Sequence, residues 1–199
     1  MNYLAHLDIA HYCQSDKLGN LLGDFVKGHP DSLRLPTVVK QGVLLHRFVD
    51  RYTDQHSQVL ALKTLFPSSL RRYAPIALDV YWDHCLAQSW SQRYPYSLEA
   101  FSQQAKQEIE HSWYADVPSS FSQVHHKMWS QQWLLQYRDP DSVDRALLSI
   151  VRRRPRLAPL AETSEILSAH QQHLEHVFND FYPQVLAASS QYFTQSIKQ

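Results

Sequence analysis

The segment Leu78-Asp79-Val80-Tyr81-Trp82-Asp83-His84-Cys85 places two carboxylates and an imidazole among apolar residues. Asp79 and Asp83 are four residues apart, so on a helix they share one face. Two carboxylates buried together repel each other and lose their hydration, so they must be protonated, paired with cations or bound to metal. The segment therefore predicts either a metal site or an ion pair with Arg71 or Arg72 of the preceding turn.

A second group, His46, Asp50 and Asp54, recurs at every fourth residue. On a helix these side chains form a column at the edge of the apolar stripe, from which they can turn inward together. Imidazole and carboxylate on successive turns suit a divalent ion such as Mn²⁺, Fe²⁺ or Zn²⁺. The alternative is a solvated face on which the aspartates pair with Arg47 and Arg51.

A third group combines Asp24 with the glycine that precedes it, Gly23. A glycine lets another helix approach closely, which could bring Asp24 up to the other clusters; a capping or surface aspartate is the alternative. His6 could join them or be a buried core histidine. Together these residues are the inventory of a one- or two-metal hydrolytic site. The sequence contains no Walker loop and none of the G-x-G-x-x-G, G-x-S-x-G or H-E-x-x-H motifs.

The run Arg152-Arg153-Arg154-Pro155-Arg156 is the one dense group of basic residues. Such a run is often a solvated surface turn. Guanidinium groups also match the geometry of phosphate and carboxylate, so Arg153, Arg154 and Arg156 could hold a phosphate or dock an acidic protein.

Helices must position all of these side chains, because the chain has only 4 glycines and its apolar residues follow a helical period. We predict an all-α fold, a helical bundle formed as a single domain over residues 1–199. The predicted helices cover 18–26, 36–67, a central buried helix from Pro75, and then 97–111, 121–137, 141–153 and 163–195. Pro183 should end or kink the last of them.

Composition narrows the class of protein. With 44% apolar residues the chain should fold by itself, and 19 basic against 19 acidic side chains argue against general binding to nucleic acid or to an anionic membrane. Cys13 and Cys85 form no disulfide framework, which fits a reducing compartment. No apolar run approaches the ~18 residues needed to span a bilayer, and no signal peptide is evident, so we expect a cytoplasmic protein.

Several of these segments resemble the acyl carrier protein phosphodiesterase family. The resemblance implies removal of 4′-phosphopantetheine from the serine of holo acyl carrier protein by an enzyme that uses a divalent metal, typically manganese. It also implies a helical fold related to the HD-type metal phosphohydrolases. The segments that carry it are Asn2-Tyr3-Leu4-Ala5-His6-Leu7, Gly19-Asn20-Leu21-Leu22-Gly23-Asp24-Phe25-Val26, His46-Arg47 with Asp50, Pro75-Ile76-Ala77-Leu78-Asp79-Val80, Trp82-Asp83-His84, Trp133-Leu134 and Arg153-Arg154-Pro155-Arg156-Leu157.

The residue patterns and the family resemblance imply the same components of a mechanism: a metal ion, a proton donor and a group that stabilises charge. The predicted metal ligands are Asp24, His46, Asp50, Asp79 and Asp83. His84 or His6 is the candidate proton donor to the leaving serine, and Arg47 or an arginine of the basic run could stabilise the developing charge. Two other functions stay open at this point: an HD-like nucleotide phosphohydrolase, and a non-catalytic helical adaptor whose carboxylates are neutralised by arginines.

Overall fold

A computed structural model describes residues 1–29 and 34–196, and these residues form helices and no strand, which confirms the all-α prediction. Short 3₁₀ segments lie at Lys63–Leu65, Arg71–Tyr73 and Pro155–Glu162. The α-helices are α1 (Tyr3–Tyr12), α2 (Lys17–Leu22), α3 (Thr37–Gln55), α4 (Ser57–Leu62), α5 (Ala74–Gln88), α6 (Trp90–Arg93), α7 (Leu98–His111), α8 (Ser119–Ser130), α9 (Trp133–Gln136), α10 (Ser142–Arg153), α11 (Thr163–Ala169) and α12 (Gln171–Ser196).

The predicted central helix is α5, with Pro75 in its first turn, where a missing amide hydrogen does no harm. Its side chains are buried around most of the circumference. Trp82 packs against Phe178 and Phe181 of α12, with ring centroids 5.7 and 5.5 Å apart. Because most of α5 is buried, Asp83 on this helix has only other protein groups to contact.

Helix α1 was not predicted from the sequence, although its residues from Leu4 to Ala10 are all buried. A helix buried all round has no polar face, so it shows no amphipathic period. Among these residues His6 and Asp8 are polar and nevertheless buried. Helix α1 therefore carries ionisable groups into the interior, beside α3 and α5.

Helices α2 and α3 touch through their backbones. A Cβ atom added at Gly19 would lie 2.2 Å from the carbonyl oxygen of Val39, and one added at Gly42 would lie 2.7 Å from that of Asp16. Only glycine fits at both positions, so the helix axes come very close. This contact brings the turn after α2 against the middle of α3.

Two predicted helices near the N-terminus are shorter than expected. The one predicted over 18–26 ends at Leu22 and continues as a turn. The one predicted over 36–67 is interrupted at His56, whose ψ of 131° is extended, and α4 and a 3₁₀ turn follow. Apolar periodicity persists through both interruptions, because the chain continues along the same core surface.

Two later predictions also merged neighbouring helices. Residues 121–137 are split by Gln132, which has a left-handed backbone with φ 53°, and residues 163–195 are split near His170. Pro183 does not end α12, which was predicted to stop or kink there. Phe181, Tyr182 and Val185 are buried on either side of this proline, and that burial offsets the ~3 kcal/mol that a proline costs inside a helix. The predictions over 97–111 and 141–153 are confirmed within a residue.

The core is continuous: its buried apolar cluster includes a side chain from each of the twelve α-helices of the described residues. Cys13 and Cys85 are free thiols. None of the helices found in residues 1–29 and 34–196 is long and apolar enough to cross a membrane.

Candidate metal centre

His6 of α1 meets His46 and Asp50 of α3 at the contact between these helices. One ligand atom from each of the three residues can be chosen so that all lie within 4.8 Å of one another. Among the residues that the structure describes, these three form the group of histidine, cysteine and acidic side chains that could hold a metal ion. Asp24 and Asp79 border it, as described below.

The orientation of the His46 ring is fixed by the backbone of α2. Its Nδ1 donates a hydrogen bond to the carbonyl oxygen of Asn20 at 2.7 Å, so Nδ1 carries a hydrogen. The Asn20 side chain in turn donates to Ser15 Oγ and to the Asp16 carbonyl, which fastens this part of α2. The other nitrogen, Nε2, therefore faces the cluster and is the atom that would bind a metal in place of a proton, as in many metal-binding histidines.

Two carboxylate oxygens lie close to His46 Nε2. Asp50 Oδ2 lies 3.0 Å from this nitrogen and Asp24 Oδ1 lies 3.5 Å from it. Lone pairs and carboxylate charges at these separations repel one another unless a cation lies between them. Ligands placed ~2.1 Å from one ion at octahedral or tetrahedral angles are about 3.0–3.4 Å apart, so the observed spacing suits a metal ion.

His6 extends the cluster on the other side of Asp50. Its Nε2 lies 3.1 Å from Asp50 Oδ1, and its ring stacks on that of His46 with centroids 3.9 Å apart. Asp50 thus presents one oxygen to each imidazole. His6 Nδ1 is buried without a hydrogen-bond partner. The sequence predicted His6 as a candidate proton donor, which stays a prediction, and its position also allows it to be a metal ligand.

The pKa values show how strongly these groups are coupled. Burial would lower the pKa of His46, but the carboxylates of Asp24 and Asp50, which accept from its ring, raise it to about 9. Burial and the neighbouring His46 lower the pKa of His6 to about 4. Burial would raise the pKa of Asp50, yet the two histidines hold it well below its usual range. One positive charge shared by His6, His46 and Asp50 accounts for all three pKa shifts. When no metal is bound, this charge is a proton on His46.

Asp79 lies beside Asp50 and contacts a cation of the protein itself. The α-amino group of Met1 is 2.6 Å from Asp79 Oδ1 and 3.4 Å from Asp50 Oδ1. Burial would lower the pKa of this ammonium, but Asp79 and Asp50 raise it to about 11. Burial raises the pKa of Asp79, and the ammonium opposes that rise. An ordered cation therefore already lies between two of the predicted metal ligands.

Gly23 makes room for the His46 ring. A Cβ atom at this position would lie 2.1 Å from His46 Cδ2 and 2.7 Å from Nε2. The expectation that this glycine permits close approach is confirmed, and the group that approaches is the imidazole itself. The chain then turns, which places Asp24 at the mouth of the cluster with 68% of its side chain exposed.

Comparison with known proteins identifies the family. The family model described as Acyl carrier protein phosphodiesterase matches residues 1–185. Two curated proteins named Acyl carrier protein phosphodiesterase, from Escherichia coli O9:H4 (strain HS) and Escherichia coli (strain SE11), are each 41% identical to this chain over 191 residues. Each alignment covers 96% of this chain and 98% of the relative.

The chain belongs to the acyl carrier protein phosphodiesterase family. No solved structure gives a significant match to it, so the expected likeness to HD-type phosphohydrolases stays a prediction. Within this member of the acyl carrier protein phosphodiesterase family, the other predicted site residues lie in two groups: some border the cluster, and some are directed away from it.

Asp83 is directed away from the cluster, although it shares a face of α5 with Asp79. Its Oδ2 accepts from the amide of Leu4 at 2.8 Å and its Oδ1 from the amide of Ala5 at 2.9 Å. The side chain has no exposed surface, and burial, opposed by these amides, raises its pKa to about 7. Both oxygens are thus used by α1, so the structure does not give Asp83 the ligand position predicted from the sequence.

His84 follows Asp83 in the chain but faces another side of α5. Its Nδ1 lies 2.7 Å from the carbonyl oxygen of Tyr137, and its ring lines a cavity of about 520 Å³ together with residues of α10, α11 and α12. Successive residues of a helix point about 100° apart, which explains the separation. The role of proton donor predicted for His84 is not supported by this position.

Arg47 does not point into the cluster either. Its guanidinium donates to the carbonyl oxygens of Val26 and Gly28, both at 2.8 Å. It therefore holds the turn that carries Asp24, and its role in stabilising charge stays a prediction. Asp54, the third member of the predicted column, faces Lys63 at 3.9 Å instead of the cluster.

The basic run is exposed, and two of its arginines act electrostatically on Tyr3. Arg153, Arg154 and Arg156 are exposed at the end of α10 and in the 3₁₀ segment after it. Burial raises the pKa of Tyr3, whose hydroxyl also feels the positive charges of Arg153 and Arg154 and the negative charge of Asp24. The charges of Arg153, Arg154 and Asp24 therefore all act on the hydroxyl of Tyr3.

Proposed function

We propose that this protein hydrolyses the phosphodiester that links 4′-phosphopantetheine to the serine of holo acyl carrier protein. The products are apo carrier and free 4′-phosphopantetheine. The observation that carries the proposal is the convergence of His6, His46 and Asp50 on one point, in a chain whose relatives are named for this phosphodiesterase activity. Enzymes that cleave phosphate esters commonly use such imidazole and carboxylate clusters to hold a divalent metal.

We further propose the ligand set. His6, His46 and Asp50 would hold the ion, with Asp24 and Asp79 at its border. Mixed nitrogen and carboxylate ligands favour a borderline ion, and the family resemblance favours Mn²⁺ among Mn²⁺, Fe²⁺ and Zn²⁺. When bound there, such an ion activates water and offsets the charge on the phosphoryl oxygens.

The residues of the chain prepare this site before any substrate arrives. The Asn20 carbonyl holds the Nδ1 hydrogen of His46, so that Nε2 is kept free as a ligand. Asp50 spans both imidazoles and keeps them at a fixed distance from each other. This prior order reduces the reorganisation needed when substrate and metal are bound together.

Substrate contacts are proposed for Arg153, Arg154 and Arg156. Because the chain has no net charge, an acidic partner must be attracted by a local basic surface, and this run is exposed, with the charges of Arg153 and Arg154 acting on the same Tyr3 hydroxyl as that of Asp24. We also propose that residues 1–199 act as one domain in the cytoplasm, where the two free thiols fit a reducing environment.

Two other functions make different predictions. A nucleotide phosphohydrolase would use the same cluster with nucleotide substrates. An adaptor would have its carboxylates neutralised by arginine, but within the described residues no arginine forms an ion pair with Asp24, Asp50, Asp79 or Asp83.

The test is to incubate holo carrier protein with the metal-loaded enzyme and follow the intact mass of the carrier. We expect loss of the phosphopantetheine group with Mn²⁺, no loss after chelation, and recovery when Mn²⁺ is returned. The His46→Ala variant is the matched control and should not cleave. An unchanged carrier mass across several carriers and metals, with turnover of a nucleotide in parallel, would instead support the nucleotide phosphohydrolase.

A further inference from the structure

The start of α1 lacks a cap of its own. Asn2 occupies the position that usually supplies one, but it makes no side-chain cap hydrogen bond. Its amide instead donates to the hydroxyl of Tyr137 at 2.9 Å. The first backbone N–H groups of a helix have no partner within the helix, so in a buried segment they need one from elsewhere.

Asp83 supplies that partner from α5. Its two oxygens accept from Leu4 and Ala5, one amide each, at 2.8 and 2.9 Å. The carboxylate is fully buried and stands at the positive end of the helix dipole, where a negative charge is favourable. Burial and the nearby negative charge of Asp83 raise the pKa of Tyr137, the residue whose hydroxyl accepts the hydrogen bond from Asn2.

The position of this cap matters because His6 directly follows Ala5. The His6 ring must lie 3.1 Å from Asp50 Oδ1 and stack on His46 at 3.9 Å for the three ligand atoms to meet. Metal ligation tolerates displacements of only ~0.2 Å. A shift of the first turn of α1 would therefore move His6 out of range, although none of the ligands themselves had changed.

We infer that Asp83 is a positioning residue that fixes α1 from α5, and thereby holds His6 at the metal centre, without being a ligand itself. This inference rests on the proposed metal centre. It concerns the geometry of that centre and not the identity of the substrate.

The Asp83→Asn variant tests it. The single amide oxygen can accept from one of the two α1 amides, and the other N–H loses its partner. We expect faster hydrogen exchange in α1 and Co²⁺ affinity weaker by about 10- to 100-fold, as for other changes to groups that orient metal ligands. The absorption spectrum at saturating Co²⁺ should match that of the wild type, because the ligand set is intact.

Asp8→Asn is the matched control. Asp8 is equally buried and lies on α1, but it accepts from Tyr182 on the α12 side, and its amide replacement can still accept that bond. Its Co²⁺ affinity and its α1 exchange should stay close to the wild type.

Two results would overturn the inference. A changed spectrum at saturating Co²⁺, with normal exchange in α1, would make Asp83 a ligand. Wild-type exchange and affinity would show that α1 does not depend on it. If Asp83→Asn fails to fold, Tyr137→Phe takes its place, because it removes the hydroxyl near Asp83 that accepts from Asn2 at the start of α1. This variant should shift exchange and affinity in the same direction, and no shift in either would refute the inference. None of these measurements uses a carrier protein, so they stand even if the proposed substrate is wrong.

Discussion

Replacing Gly23 with alanine should disturb the metal centre without removing any ligand. The added Cβ atom would lie 2.1 Å from Cδ2 of His46, where an ordinary contact begins at 3.4 Å. The ring would have to retreat by about 1.3 Å. It cannot do so freely, because it stacks on His6 at 3.9 Å and is hydrogen-bonded to Asn20 at 2.7 Å.

The size of the effect follows from the tolerance of metal ligation. A displacement of ~1 Å is several times the ~0.2 Å that a ligand set accepts, so Co²⁺ or Mn²⁺ affinity should fall by at least about 10- to 100-fold. The cost to folding is smaller. Gly23 has a helical backbone, with φ −50° and ψ −38°. Replacing glycine with alanine at such a backbone stabilises the fold by ~0.4–1 kcal/mol, whereas overpacking destabilises it by ~1–3 kcal/mol. The free energy of unfolding should therefore fall by about 1–2 kcal/mol.

The assay is a Co²⁺ titration of Gly23→Ala beside His46→Ala, with the melting temperature of each metal-free protein. Both variants should lose affinity and turnover while staying helical. If His46→Ala loses metal but Gly23→Ala binds it as the wild type does, the turn yields and the steric argument is wrong. If both bind normally, His46 is not a ligand.

Three further predictions concern other parts of the molecule. Asp79→Ala should keep its helical circular dichroism but bind Co²⁺ at least about tenfold more weakly, because a carboxylate beside the ion is lost; unchanged affinity would remove Asp79 from the site. Arg156→Glu should raise KM for holo carrier at low salt with little change in kcat, and this rise in KM should fade at high salt. The control is Lys127→Glu, which reverses an exposed charge on α8. Equal changes of KM in both variants would argue against a local docking surface. Burial would raise the pKa of Glu108, but the Lys17 ammonium keeps that pKa below 4.5 in the folded protein. The ion pair therefore stabilises the fold above pH 4.5, and this stabilisation is lost as the pH falls through the pKa of Glu108 in the folded state. The melting temperatures of the wild type and Glu108→Gln should therefore converge as the pH falls from about 6 to below about 4, and a constant gap would contradict this.

The sequence predicted the helix face that carries Asp79 and Asp83 better than the groups that these carboxylates contact. Spacing places Asp79 and Asp83 on one face of α5, and they do share it. Residues one turn apart are about 5–6 Å apart, however, which is enough for them to meet different neighbours. Asp79 meets the ammonium of Met1 and Asp83 meets two backbone amides. Nothing in the spacing of side chains reports where backbone N–H groups of another helix will lie.

The same limitation hid the role of His6. Its helix is buried all round, so the period that reveals amphipathic helices is absent from residues 3–12. The groups that fix the cluster are also nearly invisible in the sequence: a carbonyl oxygen of Asn20, amides of α1 and the missing side chain of Gly23. Backbone groups occur at every residue, and only the fold selects the few that matter.

The exposure of the cluster indicates the direction from which a substrate would arrive. The imidazoles of His6 and His46 are buried, with 3% and 4% of their side chains exposed, whereas Asp50 is 39% and Asp24 68% exposed. The deep side is thus closed to solvent, and the open side carries the carboxylate on the turn held by Arg47. A phosphodiester that reached the ion would have to enter on this open side, beside Tyr3. An anion approaching there meets the negative charge of Asp24 first, and Arg153 and Arg154, whose charges act on the same Tyr3 hydroxyl, are the groups placed to offset that repulsion.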